Sequence, residues 1–165
     1  MFLYRKLGIE DAAAWLALRH EGAAVAPSGF LVTEAESRAM TVETASKVLA
    51  YGGLRGVFDE DVLIGFCGYR PQSMERTRHR AELGPFYVTP DFQGTGAAQA
   101  MMRGVLDEAK EGGVEQIELS VAPANTRAIA FYERQGYVQF GVLPDAIRDH
   151  GTSEDALLYR LKLSW

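Results

Sequence analysis

The stretch from Val88 to Met102, VTPDFQGTGAAQAMM, limits the folds open to this chain more than any other. An apolar run ends at Val88, a loop containing Pro90 follows, Gly94 and Gly96 make a turn, and small residues continue at helical spacing. Gln93-Gly94-Thr95-Gly96-Ala97-Ala98 thereby brings small side chains and unpaired backbone N–H groups to a helix start. Such a terminus carries partial positive charge and free donors, so it can hold a phosphate without a cationic side chain. The stretch predicts an anion site where a strand hands over to a helix.

The rest of the chain is long enough to bury one core. Its 165 residues suit a single domain, expected over 1–165, and 47% hydrophobic against 24% charged residues is an ordinary globular balance. No apolar run approaches a membrane span, and the leading MFLYRKLGIEDAAAW lacks a signal-peptide core, so no membrane partner is expected. The single cysteine, Cys67, rules out an internal disulfide framework and fits a reducing cytoplasm. Seventeen basic against 22 acidic residues leave a net charge of −5. That balance disfavours nonspecific nucleic-acid binding and is compatible with a cationic substrate such as an amine.

Periodicity supplies the frame. Phe2 to Leu7 reads as a strand, and Asp11 as the N-cap of a helix broken by Gly22 to Gly29. A capping box at Thr33 to Glu36 opens a second helical segment that reaches Ala50 and stops at Gly52-Gly53. Leu54 to Phe58 and Val62 to Tyr69 form a hairpin around Asp59-Glu60-Asp61, and the Arg-rich 70–80 reads as a solvated connection. Ala81 to Val88 is a strand interrupted by Gly84-Pro85, where the missing donor implies a bulge. Ala97, Met101, Val105 and Ala109 mark the apolar stripe of the next helix, which Gly112-Gly113 ends. Gln116 to Ala122 alternates as a strand, Asn125 to Arg134 is a short helix, and Tyr137 to Leu143 and Ala156 to Leu163 are closing strands joined by a polar loop through Pro144 and Gly151. Strands and helices in this order give a mixed sheet with helices on its faces, a three-layer α/β domain.

Three phosphate-binding patterns can be laid on the glycine turn. A Walker loop fails because Ala97-Ala98 stands where Lys-Ser/Thr is needed. A dinucleotide fingerprint lacks its third glycine, which is Gln99 here, and five residues from Thr89 to Gln93 separate strand from turn. A nicotinamide-dependent protein built on Gly94-x-Gly96 therefore stays only as a remote alternative. The third pattern, Gln/Arg-x-x-Gly-x-Gly/Ala, is met by Gln93, Gly96 and Ala98. With Val88-Thr89-Pro90 before it, and Asn125, Ala128, Phe131-Tyr132 and Gly136-Tyr137 about thirty residues later, this stretch resembles the coenzyme A site of the GCN5-related N-acetyltransferase superfamily. The resemblance covers residues 80–140 firmly and the whole chain more loosely.

The resemblance implies a GNAT-like fold: a mixed, mostly antiparallel central sheet with a bulged, splayed fourth strand and helices on both faces. It implies acetyl-CoA as co-substrate, an amine acceptor, no metal, and direct transfer in a ternary complex, where most of the gain is proximity. By the same resemblance the backbone of Phe86, Tyr87 and Val88, freed by the bulge, would hold the pantetheine arm and polarise the thioester carbonyl. Gln93, Gly94, Thr95, Gly96, Ala97 and Ala98 would receive the pyrophosphate, and Asn125 would contact coenzyme A, N-capping of its helix being the plainer role. Tyr132 falls at the general-acid position, and a phenol of pKa about 10 is matched to a thiol of about 8.5. Glu82 falls where one branch of the family carries its base; a carboxylate on a solvated strand face, or a water-mediated route, is the competing reading. Glu118 is a second candidate.

The remaining chemistry-bearing residues read as structural. His20, His79 and His150 lack metal spacing, Cys67 is a small core residue, and Trp15 and Trp165 pack. The family places acceptor specificity in segments equivalent to about 20–53 and 143–154, and neither contains a motif that names the amine. Family members are often dimers, so a homodimer is compatible with the resemblance. A noncatalytic acyl-CoA-binding module, sharing the loop but not the turnover, is the alternative to an enzyme.

Overall fold

A computed structural model describes residues 1–165. Its strands are β1 Phe2–Lys6, β2 Leu54–Asp59, β3 Val62–Pro71, β4 Arg80–Val88, β5 Gln116–Val121, β6 Val138–Asp149 and β7 Thr152–Lys162. Its helices are α1 Ala12–Val25, α2 Glu34–Ala39, α3 Val42–Ala50, α4 Ala97–Glu111 and α5 Thr126–Arg134. The strand order is β1-β2-β3-β4-β5-β7-β6. The β4–β5 pair is parallel, whereas β1–β2, β2–β3, β5–β7 and β6–β7 are antiparallel, the mixed and mostly antiparallel arrangement expected. By internal contacts the chain forms two compact units, Met1–Arg70 with Pro85–Glu108, and Pro71–Gly84 with Ala109–Trp165.

In the first unit the alternation of β2 sorts side chains to two faces. Leu54 and Phe58 join Leu7, Trp15, Leu16, Leu49, Leu63, Phe66 and Tyr87 in a core beneath α1 and α3. Arg55 points to the opposite face and meets α4. Its guanidinium is 7% exposed and donates through Nε to Glu108 Oε1 at 2.7 Å and Oε2 at 3.0 Å. Tyr4 donates to the same carboxylate at 3.4 Å, and Arg55 Nη1 donates to the Gly52 carbonyl at 2.7 Å. Burial opposes the Arg55 charge most strongly, but the hydrogen bond and charge of Glu108 outweigh it and leave the guanidinium held cationic, with its pKa raised. α4 approaches closely because residue 104 is glycine: a Cβ there would stand 2.2 Å from the Tyr4 ring.

The second unit is built around β5. Ile117, Leu119 and Val121 point inward as the alternation predicts, and β7 pairs with β5 from Gln116↔Lys162 to Val121↔Leu157. α5 ends in a left-handed glycine, Gly136 at φ 97, which lets Tyr137 N–H return to the Tyr132 carbonyl at 3.0 Å. That turn seats Tyr137 beside Tyr132, ring centroids 5.6 Å apart.

Three local expectations are corrected. Asp11 makes no side-chain cap to α1; it accepts from Arg5 Nη1 at 2.8 Å, Arg5 Nη2 at 3.0 Å and the Gly8 amide at 2.9 Å, because those donors lie closer than the helix amides it was expected to cap. The helix expected from Thr33 to Ala50 is two helices, since Met40 leaves helical geometry at ψ 130 and Thr41 starts again by accepting from Thr44 N–H at 3.1 Å. The polar loop expected from 144 to 155 is instead a long β6–β7 hairpin turning at His150-Gly151. A register shift between Leu143 and Ile147, with Asp145 at φ 50, absorbs Pro144.

Two outcomes follow. Removing Glu108 leaves Arg55 buried with an uncompensated charge, so Glu108→Ala lowers the unfolding free energy by about 3 kcal/mol, measured by urea denaturation with an unchanged m-value; a loss within error would mean the pair carries no such weight. The Arg5 hydrogen bonds, outweighing burial and helped by the Gly8 amide, hold Asp11 below its ordinary pKa. Its contribution is therefore present above the unfolded pKa of about 3.9 and lost as pH falls through the lower folded value. Wild type minus Asp11→Asn stability is accordingly positive at pH 7 and shrinks below about pH 4; a difference constant across that range contradicts the assignment.

Candidate functional site

The glycine turn lies wholly in the first unit. β4 ends at Val88, Pro90–Phe92 form a single 3₁₀ turn, and Gln93 reaches back so that its Nε2 donates to the Val88 carbonyl at 3.1 Å. This bond closes the loop under the strand end. Thr95 reinforces it, with Oγ1 donating to the Phe92 carbonyl at 2.5 Å. Gly94 at φ 79 and Gly96 at φ 94 adopt backbone that L side chains rarely take, and a Cβ on either would meet nothing within 4 Å. Both glycines are thus required by conformation and face open space. The helical bond from Ala100 N–H to the Gly96 carbonyl, 2.9 Å, leaves the amides of Ala97 and Ala98 ahead of it, at the positive end of the fifteen-residue α4. Ala97 is fully buried.

Phe86, Tyr87 and Val88 occupy the end of β4. The Val88 carbonyl accepts from Gln93 Nε2. Tyr87 is 5% exposed, and its ring lies 5.5 Å from Phe30 and 6.2 Å from Phe66. Burial, reinforced by the charge of Glu21, pushes its phenol up to about 12, and the hydroxyl meets no hydrogen-bonding partner in the fold. Next along the chain, Thr89 donates through Oγ1 to Glu21 Oε1 at 2.8 Å. The indole N–H of Trp15 is likewise buried without an acceptor.

The second unit holds the other expected residues. Gly84 stands at φ 142, two residues beyond the parallel ladder that pairs Arg80, Ala81 and Glu82 with Gln116, Ile117 and Glu118. Glu82 is exposed on this ladder, opposite Glu118 in register. Glu118 is engaged: it accepts from Arg80 Nη1 at 2.7 Å and from Gln116 Nε2 at 2.9 Å, so its charge is already matched. Asn125 is the N-cap of α5, its Oδ1 accepting from Ala128 N–H at 3.3 Å. Tyr132 is 7% exposed within α5, its ring 5.8 Å from Phe131.

The structurally read residues keep those places. Cys67 is fully buried and its thiol is pushed up to about 12 by burial, so it is no thiolate at neutral pH. His20 Nδ1 lies 2.7 Å from the hydroxyl of buried Ser37, closer to the core than a loop histidine, and His150 sits exposed at the hairpin tip. No group of three His, Cys, Asp or Glu residues is placed to hold a metal ion, and no helix is long and apolar enough to cross a membrane. The contact between Glu21 and Thr89, made across 68 positions, had no local signature in the sequence.

Known proteins place this arrangement. The model of the Acetyltransferase (GNAT) family matches residues 31–137. A mycothiol acetyltransferase of Propionibacterium freudenreichii subsp. shermanii is 36% identical over 108 residues, covering 62% of this chain and 34% of that protein. The chain spans 34% to 41% of the length of the mycothiol acetyltransferases it matches. In fold it is similar to the ribosomal-protein-alanine N-acetyltransferase of Brucella melitensis, TM-score 0.83 at 22% identity over 98% of this chain and 99% of that one. It is similar also to yncA of Salmonella typhimurium, solved with its cofactor acetyl-CoA, TM-score 0.80 at 17% identity over 100% and 95% of the two chains.

The turn geometry is testable without any ligand. Gly96→Ala adds a methyl that meets no atom but sits on a left-handed backbone, so it lowers stability by about 1–2 kcal/mol in denaturant titration. A neutral or stabilising effect would contradict the conformation.

Proposed function

The chain belongs to the acetyltransferase (GNAT) family, and from that premise we propose that it is an acetyl-CoA-dependent N-acetyltransferase, a single catalytic domain acting by direct transfer to a primary amine. One observation carries the reading. A strand end runs through Gln93 into two glycines of positive φ and then into unpaired amides at the start of α4, an anion cradle without a cation. In this reading the pyrophosphate of acetyl-CoA rests on the amides of Gly94, Gly96, Ala97 and Ala98 and on Thr95, whose N–H turns to it from a 3.4 Å bond to the Phe92 carbonyl, with Gln93 holding the loop to Val88. The backbone of Phe86, Tyr87 and Val88 takes the pantetheine arm, chiefly through N–H groups since the Val88 carbonyl is engaged, and Gly84-Pro85 splays the strand to admit it. Asn125 serves both coenzyme A and its own helix.

Acetyl-CoA supplies a thioester-activated acetyl group. The acceptor enters as an ammonium and loses a proton to Glu82, directly or through water, before its nitrogen can attack. The new C–N bond forms at the acetyl carbonyl, whose developing oxyanion is met by a β4 backbone amide. As the C–S bond breaks, the departing thiolate takes the proton of the Tyr132 phenol; the second proton of the nitrogen then restores that phenol, and Glu82 passes the first to solvent. One proton is released for each amide made. Preorganisation of the two substrates provides most of the acceleration, and the acid adds about 10²–10⁴.

The same reading places the protein in the cytoplasm, where acetyl-CoA and reduced Cys67 coexist. It also favours a homodimer. Val138, Phe140, Val142 and Leu143 are exposed apolar residues on β6, the last strand of the order, and the same edge of a second copy is their simplest complement.

Tyr132→Phe is expected to lower kcat at least a hundredfold while acetyl-CoA affinity changes less than twofold, read by thiol release and calorimetry with the best amine of a broad panel. Unchanged kcat would remove Tyr132 from the mechanism. Absence of thiol release with every amine, in a protein that still binds acetyl-CoA, would leave a binding module rather than an enzyme.

A further inference from the structure

Glu21 is a partly buried carboxylate to which the fold gives no cation. Several cations of its unit are paired with other groups. Arg5 pairs with Asp11, Arg38 with Glu34 and Arg55 with Glu108, while Arg19 on the same helix lies over the Trp15 ring at 5.5 Å and reaches Met40 Sδ at 3.4 Å. What Glu21 does have is the Thr89 hydroxyl at 2.8 Å, which fixes it at the end of β4. Tyr87, two residues before Thr89, carries a buried hydroxyl with no partner and feels the Glu21 charge. A buried polar group is ordinarily hydrogen-bonded, and leaving one unmade is unfavourable. The α1–β4 junction therefore offers one negative charge seeking a cation and one neutral hydroxyl seeking a partner, beside the strand end that the acetyltransferase reading assigns to acetyl-CoA.

Resting on that reading, we infer that Glu21 and Tyr87 form the acceptor subsite, Glu21 taking the ammonium and the Tyr87 hydroxyl donating to a carbonyl oxygen one carbon away, so that the acceptor is an α-amino amide such as a peptide N-terminus. A free amino acid fits poorly, because its carboxylate would lie beside Glu21 and like charges at such range repel. A simple alkylamine satisfies Glu21 and leaves Tyr87 orphaned. Phe30, Phe66 and the Tyr87 ring supply an apolar wall, T-shaped or tilted to one another at 5.5–6.2 Å. Glu21 is here a specificity residue: the bond chemistry remains with the backbone of β4, Glu82 and Tyr132.

The test uses the intact chain and three small probes titrated by NMR: L-alaninamide, isopropylamine, which keeps the ammonium and lacks the carbonyl, and propionamide, which keeps the carbonyl and lacks the ammonium. L-alaninamide is expected to bind at least tenfold tighter than either. Glu21→Gln retains an acceptor for Thr89 and removes only the charge, so it should abolish the advantage over propionamide while the acetyl-CoA-induced rise in Tm stays as in wild type. Tyr87→Phe removes a hydroxyl that holds nothing in the fold, so its Tm should not fall, and it should abolish the advantage over isopropylamine. Wild-type affinity for L-alaninamide in Glu21→Gln, equal binding of isopropylamine, or no binding of L-alaninamide would each overturn the inference. If acetyl-CoA leaves wild-type Tm unmoved while the L-alaninamide pattern holds, the acetyltransferase reading fails and the amine site stands.

Discussion

The first unit turns on the ion pair between Arg55 and Glu108. It joins the start of β2 to the last turn of α4, and its guanidinium is almost wholly shielded. With Gly104 letting the helix settle onto Tyr4, the pair sets both the height and the rotation of α4 against the strands. The consequence is felt at the other end of the helix, about 16 Å away at about 1.5 Å per residue. There Ala97 and Ala98 present their amides beside the end of β4, and the Gln93 bond to the Val88 carbonyl joins the two. A charge pair within the fold thus fixes a charge-free site at its surface.

In the proposed function, donor and acceptor recognition use different materials. The phosphate cradle is backbone, which any sequence offers provided glycine stands at the two positions of positive φ. The junction of Glu21, Tyr87 and Thr89 is side chain, and can be rewritten without disturbing the cradle. That separation accounts for the location of the unmet polar groups. The cradle's unmet donors are amides at a helix start, whereas the α1 side leaves a carboxylate without a cation and a phenol without a partner.

Much of this was legible in the residues. Gly94 and Gly96 announce a left-handed turn, the alternation of Ile117, Leu119 and Val121 announces a half-buried strand, and Gly136 announces the end of α5, because in each the local rule and the tertiary outcome agree. Where they diverge, a distant partner decides. Asp11 has the right type for an N-cap but is claimed by Arg5 and the Gly8 amide. The segment 144–155 carries proline and glycine, yet ladder hydrogen bonds to β7 hold it as strand on either side of a bulge. Glu118 looks like a base until Arg80, 38 positions away, is seen to neutralise it. Glu21 had no signature at all, and Tyr87 was named for its backbone, not for a hydroxyl that meets no partner in the fold.

Titrating ¹⁵N-labelled protein with acetyl-CoA addresses the central claim directly, because it observes the amides themselves. The account predicts saturable binding whose largest shifts fall on Gly94, Thr95, Gly96, Ala97 and Ala98, with Phe86 following. Saturable binding that leaves those five amides unmoved, or no binding, would contradict it.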